Sequence, residues 1–518
     1  MKKLWLLMMM LVLALVVAAC GGGEDDASTE EGEEPVETSD SRTLTVAYGT
    51  DIVSFDIHDH NTTSTEAVHV NMFNYLLTNQ GEDGFQPDLA ESWENIDDNT
   101  WRFQLREGVT FHNGEELTAD DVKFTLERVA QDETLLEHGN YNQIESVNVL
   151  SDYEFEIVTV NPEPAMLNRL SRLGSGILPQ EYIETEGWEV FLEQPVGTGP
   201  YQFKEWQRDD RLTLEAYPEY FGGEPEWDEL VFRSIPEDST RVSELLTGGV
   251  DVAVNIPPTD VARIDNTDGV STVQSPTQRV MMLVLRTDDD SVTGDPRVRE
   301  AIDLAIDKQA MVDSLLEGAG TVTRTRVTPG NVGANEDLYE QTLYDPERAR
   351  ELLEEAGYGD GLELTLTGPN GRYLKDRETV ELISAMLSEV GITVNQELIE
   401  WSAFSQRYQE RGFAEMFYIG YGNSMFDASL ALDRLTAEGA AGESDYDNAE
   451  VNELLIAAEQ NMDPEEREQQ LQRAQELIAE DRPQIYMFQL DAITGINDRI
   501  NFEPQLNEMF YADSVTLN

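Results

Sequence analysis

The chain is 518 residues long and carries 103 acidic against 34 basic side chains, a formal net charge of −69 at pH 7. Because unpaired carboxylates are costly to bury, this charge has to lie mostly on the surface, where it argues against nucleic acid and anionic lipid as partners. Adaptation to high salt or to an alkaline exterior explains it better than an acidic binding site. The length and the 40% of hydrophobic residues predict two or three globular domains.

The N-terminus predicts an export signal. Two lysines precede an apolar run over residues 4–19, which fits a secretory signal and is shorter than the about 20 residues of a membrane span. Residues 17–20, Val-Ala-Ala-Cys, resemble a bacterial lipobox. That resemblance implies removal of a signal peptide, residues 1–19, and lipid attachment at Cys20, which would anchor the protein on the extracytoplasmic face of the cell membrane. The alternative is an ordinary signal peptide with an incidental cysteine.

Cys20 is the only cysteine of the chain, so no internal disulfide can form. It is followed by three glycines and then by residues 24–40, which hold nine acidic side chains and no basic one. Such a segment has too little apolar surface to offset the entropy of ordering. We predict that residues 20–42 are a lipidated cysteine followed by a flexible acidic tether.

Strands dominate the first part of the globular region. Three segments have the alternation of apolar and polar side chains that is typical of half-buried strands, namely residues 43–48, 100–111 and 153–160. Thr118 and Asp121 have the spacing of a capping box and predict the start of a helix. The apolar side chains of that helix follow at helical spacing, at Val122, Leu126 and Val129.

Helices and strands alternate in the second part. Asp345-Pro346 and Asp463-Pro464 each predict a helix start, because aspartate caps the first turn and proline is tolerated at its first position. Between them the pattern predicts a strand over 361–367, a helix over 377–390 and a strand over 391–399. This order is typical of a βαβ sheet, so we predict an α/β fold in more than one lobe.

The sequence motifs of catalysis and nucleotide binding are missing. We find no P-loop, no His-Glu-x-x-His, no Gly-x-Ser-x-Gly and no Gly-x-Gly-x-x-Gly after a strand. His58 and His60 are spaced to face one metal ion, but without a third ligand a polar turn is the better interpretation. We therefore expect a protein that is not an enzyme and that uses no metal and no cofactor.

Five blocks of sequence resemble the bacterial extracellular solute-binding proteins of family 5, the binding components of peptide, oligopeptide and nickel ABC importers. The blocks are residues 87–128, 195–203, 295–320, 344–358 and 368–378. Their order is that of the family, and the resemblance spans nearly all of residues 43–518. Most of the matching residues indicate turns rather than ligand contacts, with Gly108 and Gly114 expected at positive φ and residues 197–200, Gly-Thr-Gly-Pro, as a tight connection.

The resemblance implies a two-lobed clamshell like that of periplasmic binding proteins, with an additional accessory domain. Residues 43–85, 195–285 and 487–518 would form lobe I, residues 86–194 the accessory domain and residues 286–486 lobe II. It also implies a monomer that captures a small solute, most simply a peptide, between its lobes and delivers it to the transmembrane subunits of an ABC permease.

The loop after residue 420 is the best candidate for the binding site. Residues 416–419 predict a buried strand, and loops at the carboxyl ends of strands face the crevice in open α/β sheets. In peptide-binding relatives the matching loop has an aromatic residue and an aspartate that clamps the ammonium group of the peptide. By this resemblance Tyr421 takes the aromatic position, Ser424 that of the aspartate and Asp427 that of a second acid, with Gly422 and Asn423 between them.

Serine at position 424 leaves the ligand open. A buried ammonium needs a charged partner, and serine supplies only a dipole. Either Asp427 pairs with the amine, or the ligand is not anchored by an amine. Residues 425–429 partly match the loop of nickel-type relatives, but Ser429 replaces the expected histidine, which weakens a metal-chelate interpretation as well.

Three further residues are candidates for contact with the ligand. Trp401 follows the strand over 391–399, where relatives place an aromatic residue at the cleft, and core packing is its alternative. Arg279 lies just before an apolar strand, and a salt bridge between the lobes is its alternative. Tyr373, in the loop after residue 370, has core packing as its alternative.

Short peptides are the leading expectation for the solute. The second expectation is the same fold with a non-peptide ligand, which would be a metal chelate, an oligosaccharide or a glutathione-like compound. A secreted hydrolase or a surface chaperone is a third class, and the missing catalytic motifs argue against it.

Overall fold

A computed structural model gives the fold of the globular region. The residues that it describes are 42–60, 62–79, 81, 84–172 and 174–518. The predicted signal peptide, Cys20 and the acidic tether lie outside them. Within the described residues, none of the helices combines the length and the apolar character that a membrane crossing requires.

The strands are numbered β1 to β19 in chain order. They are Thr43–Tyr48, Leu77–Asn79, Phe85–Pro87, Ala90–Asp97, Thr100–Leu105, Ile144–Ser151, Glu154–Thr159, Tyr201–Gln207, Arg211–Ala216, Glu229–Ser234, Val252–Ala253, Val270–Leu285, Gly320–Val322, Leu362–Asn370, Ile392–Glu400, Met416–Tyr421, Gln484–Asn497, Ile500–Asn501 and Thr516–Leu517.

The α-helices are numbered α1 to α17 in the same way. They are Thr63–His69, Ala119–Gln131, His138–Tyr141, Met166–Arg169, Gln180–Glu186, Trp188–Glu193, Asp238–Leu246, Pro258–Asp265, Pro296–Ala305, Lys308–Ser314, Pro346–Glu355, Asp376–Glu389, Trp401–Gln409, Ala428–Leu432, Ala437–Ala440, Ala449–Gln460 and Pro464–Asp481.

One large mixed sheet runs through the fold. Its strand order is β15-β14-β16-β12-β17-β11-β1-β10-β9-β8, with β13 also paired to β17. The antiparallel pair β12 and β17 is central, because the first part of β12 pairs with the end of β17 and the second part pairs with its beginning. The same two strands therefore connect the β14–β16 side of the sheet with the β1 and β8–β11 side.

The register of β12 against β17 is interrupted near the middle of the pair. It shifts between Pro276 and Val280, so residues 277–279 are left out of the ladder. Such a bulge bends a strand and redirects its side chains. Here it separates the first part of β12, which pairs with β17 alone, from the second part, which also pairs with β16, and it presents Arg279 at the edge of the second part.

A second, four-stranded sheet has the order β4-β5-β7-β6. Its β5 strand buries Trp101, Phe103 and Leu105 as the alternation predicts, and helix α2 covers that face. The capping box of Thr118 and Asp121 at the start of α2 is confirmed. This sheet and its helix form a hydrophobic core of their own over residues 76–196.

Most predicted elements of the second half are confirmed. The side chain of Asp345 accepts a hydrogen bond from the amide of Arg348 and starts α11, and Gly357 after it has a φ of 93°. Strand β14, however, extends three residues further than predicted, to Asn370. Strand β16 pairs with β14 only at residues 366–367, so Pro369 lies where no neighbour on that side needs its missing amide hydrogen.

The boundaries of the lobes and of the accessory domain stay a prediction. Separate hydrophobic cores lie on the β1 and β8–β10 side and on the β16 side, while a third core extends along one face of the large sheet from Ala47 to Ile493. The shared core and the shared strands β12 and β17 join the two halves of the sheet.

A substitution in the Gly-Thr-Gly-Pro connection, residues 197–200, tests how tightly this part of the fold is packed. A Cβ atom on Gly199 would lie 2.6 Å from the backbone oxygen of Asn71 and 2.8 Å from the Cα of Met72. We expect Gly199→Ala to lower the free energy of unfolding by about 1–3 kcal/mol, because the backbone cannot yield as a side chain would. Gly139→Ala is the control, since no heavy atom lies within 4 Å of that Cβ position. Denaturant titration measures both, and an equal stability of the two variants would contradict the tight contact.

Candidate functional site

The carboxyl ends of three strands lie at one edge of the large sheet. Strands β14 and β15 are parallel and end together at the pair Asn370 and Glu400. Strand β16 is parallel to β14, and its last residue, Tyr421, lies opposite Val280 of β12. Loops that follow these strands therefore converge next to Arg279, and ligands bind at such edges in open α/β sheets.

Three of the predicted residues, Arg279, Tyr373 and Trp401, contact one another at this edge, and the backbone next to a fourth, Tyr421, lies beside them. The Tyr373 ring lies 5.9 Å from the Trp401 ring in an edge-on arrangement. The Arg279 guanidinium lies 5.9 Å from the Tyr373 ring, and the Tyr373 hydroxyl donates to the carbonyl of Gly420 at 3.0 Å. Gly420 directly precedes Tyr421. We call Arg279, Arg372, Tyr373, Trp401, Tyr421 and Gly422 the strand-end site.

The loop that carries Arg372 and Tyr373 is shaped by the first residue of α12. Both oxygens of the Asp376 carboxylate accept backbone hydrogen bonds, from the amides of Gly371, Arg372 and Tyr373 at 2.7–3.1 Å. An aspartate in the first turn of a helix is favourably placed to satisfy such amides. These hydrogen bonds fix the backbone of the loop, and with it the positions from which the side chains of Arg372 and Tyr373 extend.

The hydroxyl of Tyr421 is used inside the protein. It lies 2.6 Å from the Tyr408 hydroxyl and 3.1 Å from Oε1 of Glu443, and Arg434 donates to the other oxygen of Glu443 at 3.0 Å. Burial, together with the charges of Tyr408 and Glu443, raises the pKa of Tyr421 well above its usual range. Only the ring of Tyr421 is therefore left for contact with a ligand.

The residues after Tyr421 differ in what they offer. Gly422 is exposed and Ser424 is partly exposed, and in the described part of the chain the Ser424 hydroxyl makes no hydrogen bond. Asn423 is buried and donates to the side chain of Asn331 at 2.6 Å and to the carbonyl of Asp427 at 3.2 Å. Asn423 thus holds the loop in place.

Asp427 is completely buried and fully engaged. Arg467 donates to both of its carboxylate oxygens, at 2.7 and 2.8 Å, and the amide and hydroxyl of Ser429 donate to one of them at 2.9 and 2.6 Å. A bidentate pair of this kind leaves no oxygen for a ligand ammonium. The structure places Asp427 behind the loop as the N-cap of α14 rather than at its surface.

Sequence reasoning missed two arginines of this region. Arg372 is exposed, and its guanidinium lies 5.1 Å from the Trp401 ring and 5.3 Å from the Tyr373 ring. Arg326 is buried, lies 4.5 Å over the Tyr421 ring and donates to the carbonyl of Gly422 at 3.4 Å. The sequence held one signal for Arg326. It stands two residues after Arg324, and two arginines so close together are unusual in a chain with only 34 basic residues.

Arg326 forms no salt bridge with any residue that the structure describes. Its Nε and Nη1 atoms are buried without a hydrogen-bond partner among those residues. An unpaired guanidinium and its free donors are costly to bury. The inner side of the loop at Gly422 is therefore suited to an acceptor or an anion.

A buried amide connects the loop to the region of the second sheet. The side chain of Asn168 in α4 donates to the carbonyl of Met425 at 2.7 Å. Phe426 next to it has a φ of 55°, a left-handed conformation that is uncommon for an aromatic residue. Asn168 thus contacts the loop at its most constrained point.

His58 and His60 lie at a turn of the chain, and the turn is mostly buried rather than open to solvent. Both imidazoles are buried, and Arg128 lies 2.6 Å from Nδ1 of His58. Burial is the main cause that lowers the pKa of His58 to about 3 and that of His60 to about 4. Within the described residues no group of three or more potential ligands could hold a metal ion.

The family model of the bacterial extracellular solute-binding proteins, family 5 Middle, matches residues 84–443 of the chain. Among curated proteins, the glutathione-binding protein GsiB of Salmonella typhi is 29% identical over 460 residues, which cover 86% of this chain and 88% of that protein.

Solved structures of binding proteins have the same fold. The periplasmic binding protein DppA of Helicobacter pylori, in complex with the peptide STSA, superposes with a TM-score of 0.78 at 26% identity and covers 92% of this chain and 98% of its own. CtaP of Listeria monocytogenes superposes with a TM-score of 0.83 at 21% identity and covers 92% and 99%. The predicted α/β fold of the periplasmic-binding-protein type is confirmed.

The buried pair behind the loop can be tested by its effect on stability. We expect Asp427→Asn to lower the free energy of unfolding by about 3 kcal/mol or more, because it leaves the Arg467 guanidinium buried without its charge partner. Asp447→Asn is the matched control, since Asp447 is exposed and a surface change of this kind costs about 0.5 kcal/mol at most. Urea denaturation measures both variants. If Asp427→Asn were as stable as the wild type, the Asp427 carboxylate would not form the buried pair with Arg467.

Proposed function

Because the chain belongs to the bacterial extracellular solute-binding proteins of family 5, we propose that it captures an extracellular solute at the strand-end site and delivers it to the transmembrane subunits of an ABC importer. The observation that carries the proposal is the contact of Tyr373 with Arg279 and Trp401 at the carboxyl edge of the large sheet, beside the end of β16 at Tyr421. Aromatic faces and guanidinium groups supply contact area and charge without any arrangement for catalysis, so the protein acts as a binding protein and not as an enzyme.

Short peptides are the proposed solute. DppA of Helicobacter pylori, 26% identical to this chain, is solved with a peptide bound. Peptides offer backbone acceptors and donors that suit the exposed Gly422 and the partly exposed Ser424, and water can fill the space around their side chains.

A non-peptide solute is the second candidate, and one observation favours it. With Asp427 paired to Arg467 and a serine at position 424, neither acid position of the loop offers a carboxylate to an amine. GsiB, the relative that is 29% identical, carries the name of a glutathione-binding protein. A glutathione-like ligand with two carboxylates would suit the arginines of the site.

The proposed lobes I and II are joined at the end of β12, Leu285, and near the beginning of β17, Gln484, so the two central strands of the large sheet would carry a hinge between them. A ligand that contacts both lobes only in the closed state would shift the chain toward closure. The proposal includes export, lipid attachment at Cys20 and a monomeric protein on the extracytoplasmic face of the membrane, with an acidic surface suited to high salt or alkaline surroundings.

Titration with short peptides tests the proposed function. We expect saturable binding of di- to tetrapeptides by isothermal titration calorimetry at millimolar concentrations or below. Ser424→Asp should bind free-amine peptides more tightly, by about tenfold, because it restores a charged partner for the ammonium group. Ser424→Ala and N-acetylated peptides are the controls, and neither should show the gain.

One result would count against a peptide solute, and another against a position of the peptide amine at the loop. If no peptide binds at millimolar concentration, the solute is not a peptide. If peptides bind but Ser424→Asp changes nothing, the ligand amine does not lie at the loop.

A further inference from the structure

We propose that Arg279 and Arg372 form a carboxylate-binding subsite of the strand-end site, and that the side chain of Glu508 occupies this subsite until the carboxylate of a solute displaces it. The inference rests on the proposed function and specifies the chemistry of the ligand, which is a solute with a free carboxylate. It also adds a competitor that is built into the chain.

Two positive charges lie close together at the strand-end site. In a chain of net charge −69, two guanidinium groups lie beside the same Tyr373 ring, at 5.9 Å for Arg279 and 5.3 Å for Arg372. Arg372 makes no ion pair with any residue that the structure describes, and it is exposed. Desolvation on its protein side and repulsion by Arg279 lower the pKa of Arg372. A pair of like charges in this state favours an anion between them.

Glu508 supplies a carboxylate from the C-terminal segment. Its Oε2 lies 3.5 Å from Nη2 of Arg279, and both side chains remain partly exposed. Its charge also acts on Tyr48, the last residue of β1, where burial is the main cause of a raised pKa and Glu508 adds to it. The contact with Arg279 places the Glu508 carboxylate at the strand-end site.

The backbone of Glu508 adopts an uncommon conformation. It has a φ of 64°, in the left-handed region that glycine and asparagine favour. The turn is held by a hydrogen bond from the Glu508 amide to the carbonyl of Gln505 at 2.9 Å and by one from the amide of Met509 to the side chain of Asn507 at 3.0 Å. The fixed conformation of this turn sets the direction in which the Glu508 side chain extends.

The contact between Glu508 and Arg279 is weak enough for a solute carboxylate to replace it. At 3.5 Å the ion pair of Arg279 and Glu508 is longer than a charge-assisted hydrogen bond, and partly exposed pairs contribute little. A solute carboxylate between the two arginines would gain guanidinium donors from both. The solute would therefore replace a weak internal contact by a stronger one.

The opposite role for Glu508 makes a different prediction. If Glu508 instead received the ammonium group of a solute, the site would bind an amine end there, and removing the carboxylate would weaken binding. The sign of the effect of one substitution separates the two roles.

The experiment uses the full chain and its variants Glu508→Gln and Glu503→Gln. Glu503 is exposed on the same C-terminal segment and serves as the control. The probes are di- to tetrapeptides with a free C-terminus, the same peptides with an amidated C-terminus, and glutathione, each titrated by calorimetry.

We expect Glu508→Gln to bind free-acid probes about two- to fivefold more tightly than the wild type, with no change in Glu503→Gln. Amidated peptides should bind every variant at least about tenfold more weakly. Weaker binding by Glu508→Gln, or equal binding of free-acid and amidated peptides, would overturn the inference and leave the proposed function standing. If neither kind of peptide nor glutathione binds the wild type, the inference and the proposed peptide and glutathione-like solutes fail together.

Discussion

The antiparallel pairing of β12 and β17 is the constraint on which the rest of the structure depends. These two strands, Val270–Leu285 and Gln484–Asn497, run through the middle of the large sheet and pair along nearly their whole length. Each half of the sheet is built on one half of this pair. The bulge at residues 277–279 interrupts the ladder where the halves meet, and it presents Arg279 at the strand ends. The same feature therefore divides the sheet and places a charged residue of the site.

Much of the fold follows from local sequence. Alternating side chains predict β1, β5 and β7, and the capping residues Thr118 and Asp345 predict the starts of α2 and α11, because these signals act within a few residues. The pairing of β12 with β17 joins segments about 200 residues apart. No local pattern specifies that pairing, and the sequence analysis did not predict it.

The site was predictable to the extent that it follows strands. Tyr373, Trp401 and Tyr421 come directly after β14, β15 and β16 or near their ends, so the rule for open α/β sheets finds them. Asp427 shows the limit of that rule. Its partner Arg467 lies on α17, and the pairing of two distant side chains decides that the carboxylate is buried. Arg326, Arg372 and Glu508 were missed for the same reason, since their importance comes from neighbours remote in sequence.

The protein is an acidic chain with a cationic edge, at which we propose that a solute binds. Native mass spectrometry of protein purified without refolding tests this binding, through comparison of the wild type with an Arg279→Ala/Arg372→Ala variant after incubation of both with a peptide mixture. We expect a bound small solute with a free carboxylate on the wild type and a large loss of it in the variant. A wild type that carries no solute, or a variant that carries the same amount, would show that the strand-end site does not bind the solute.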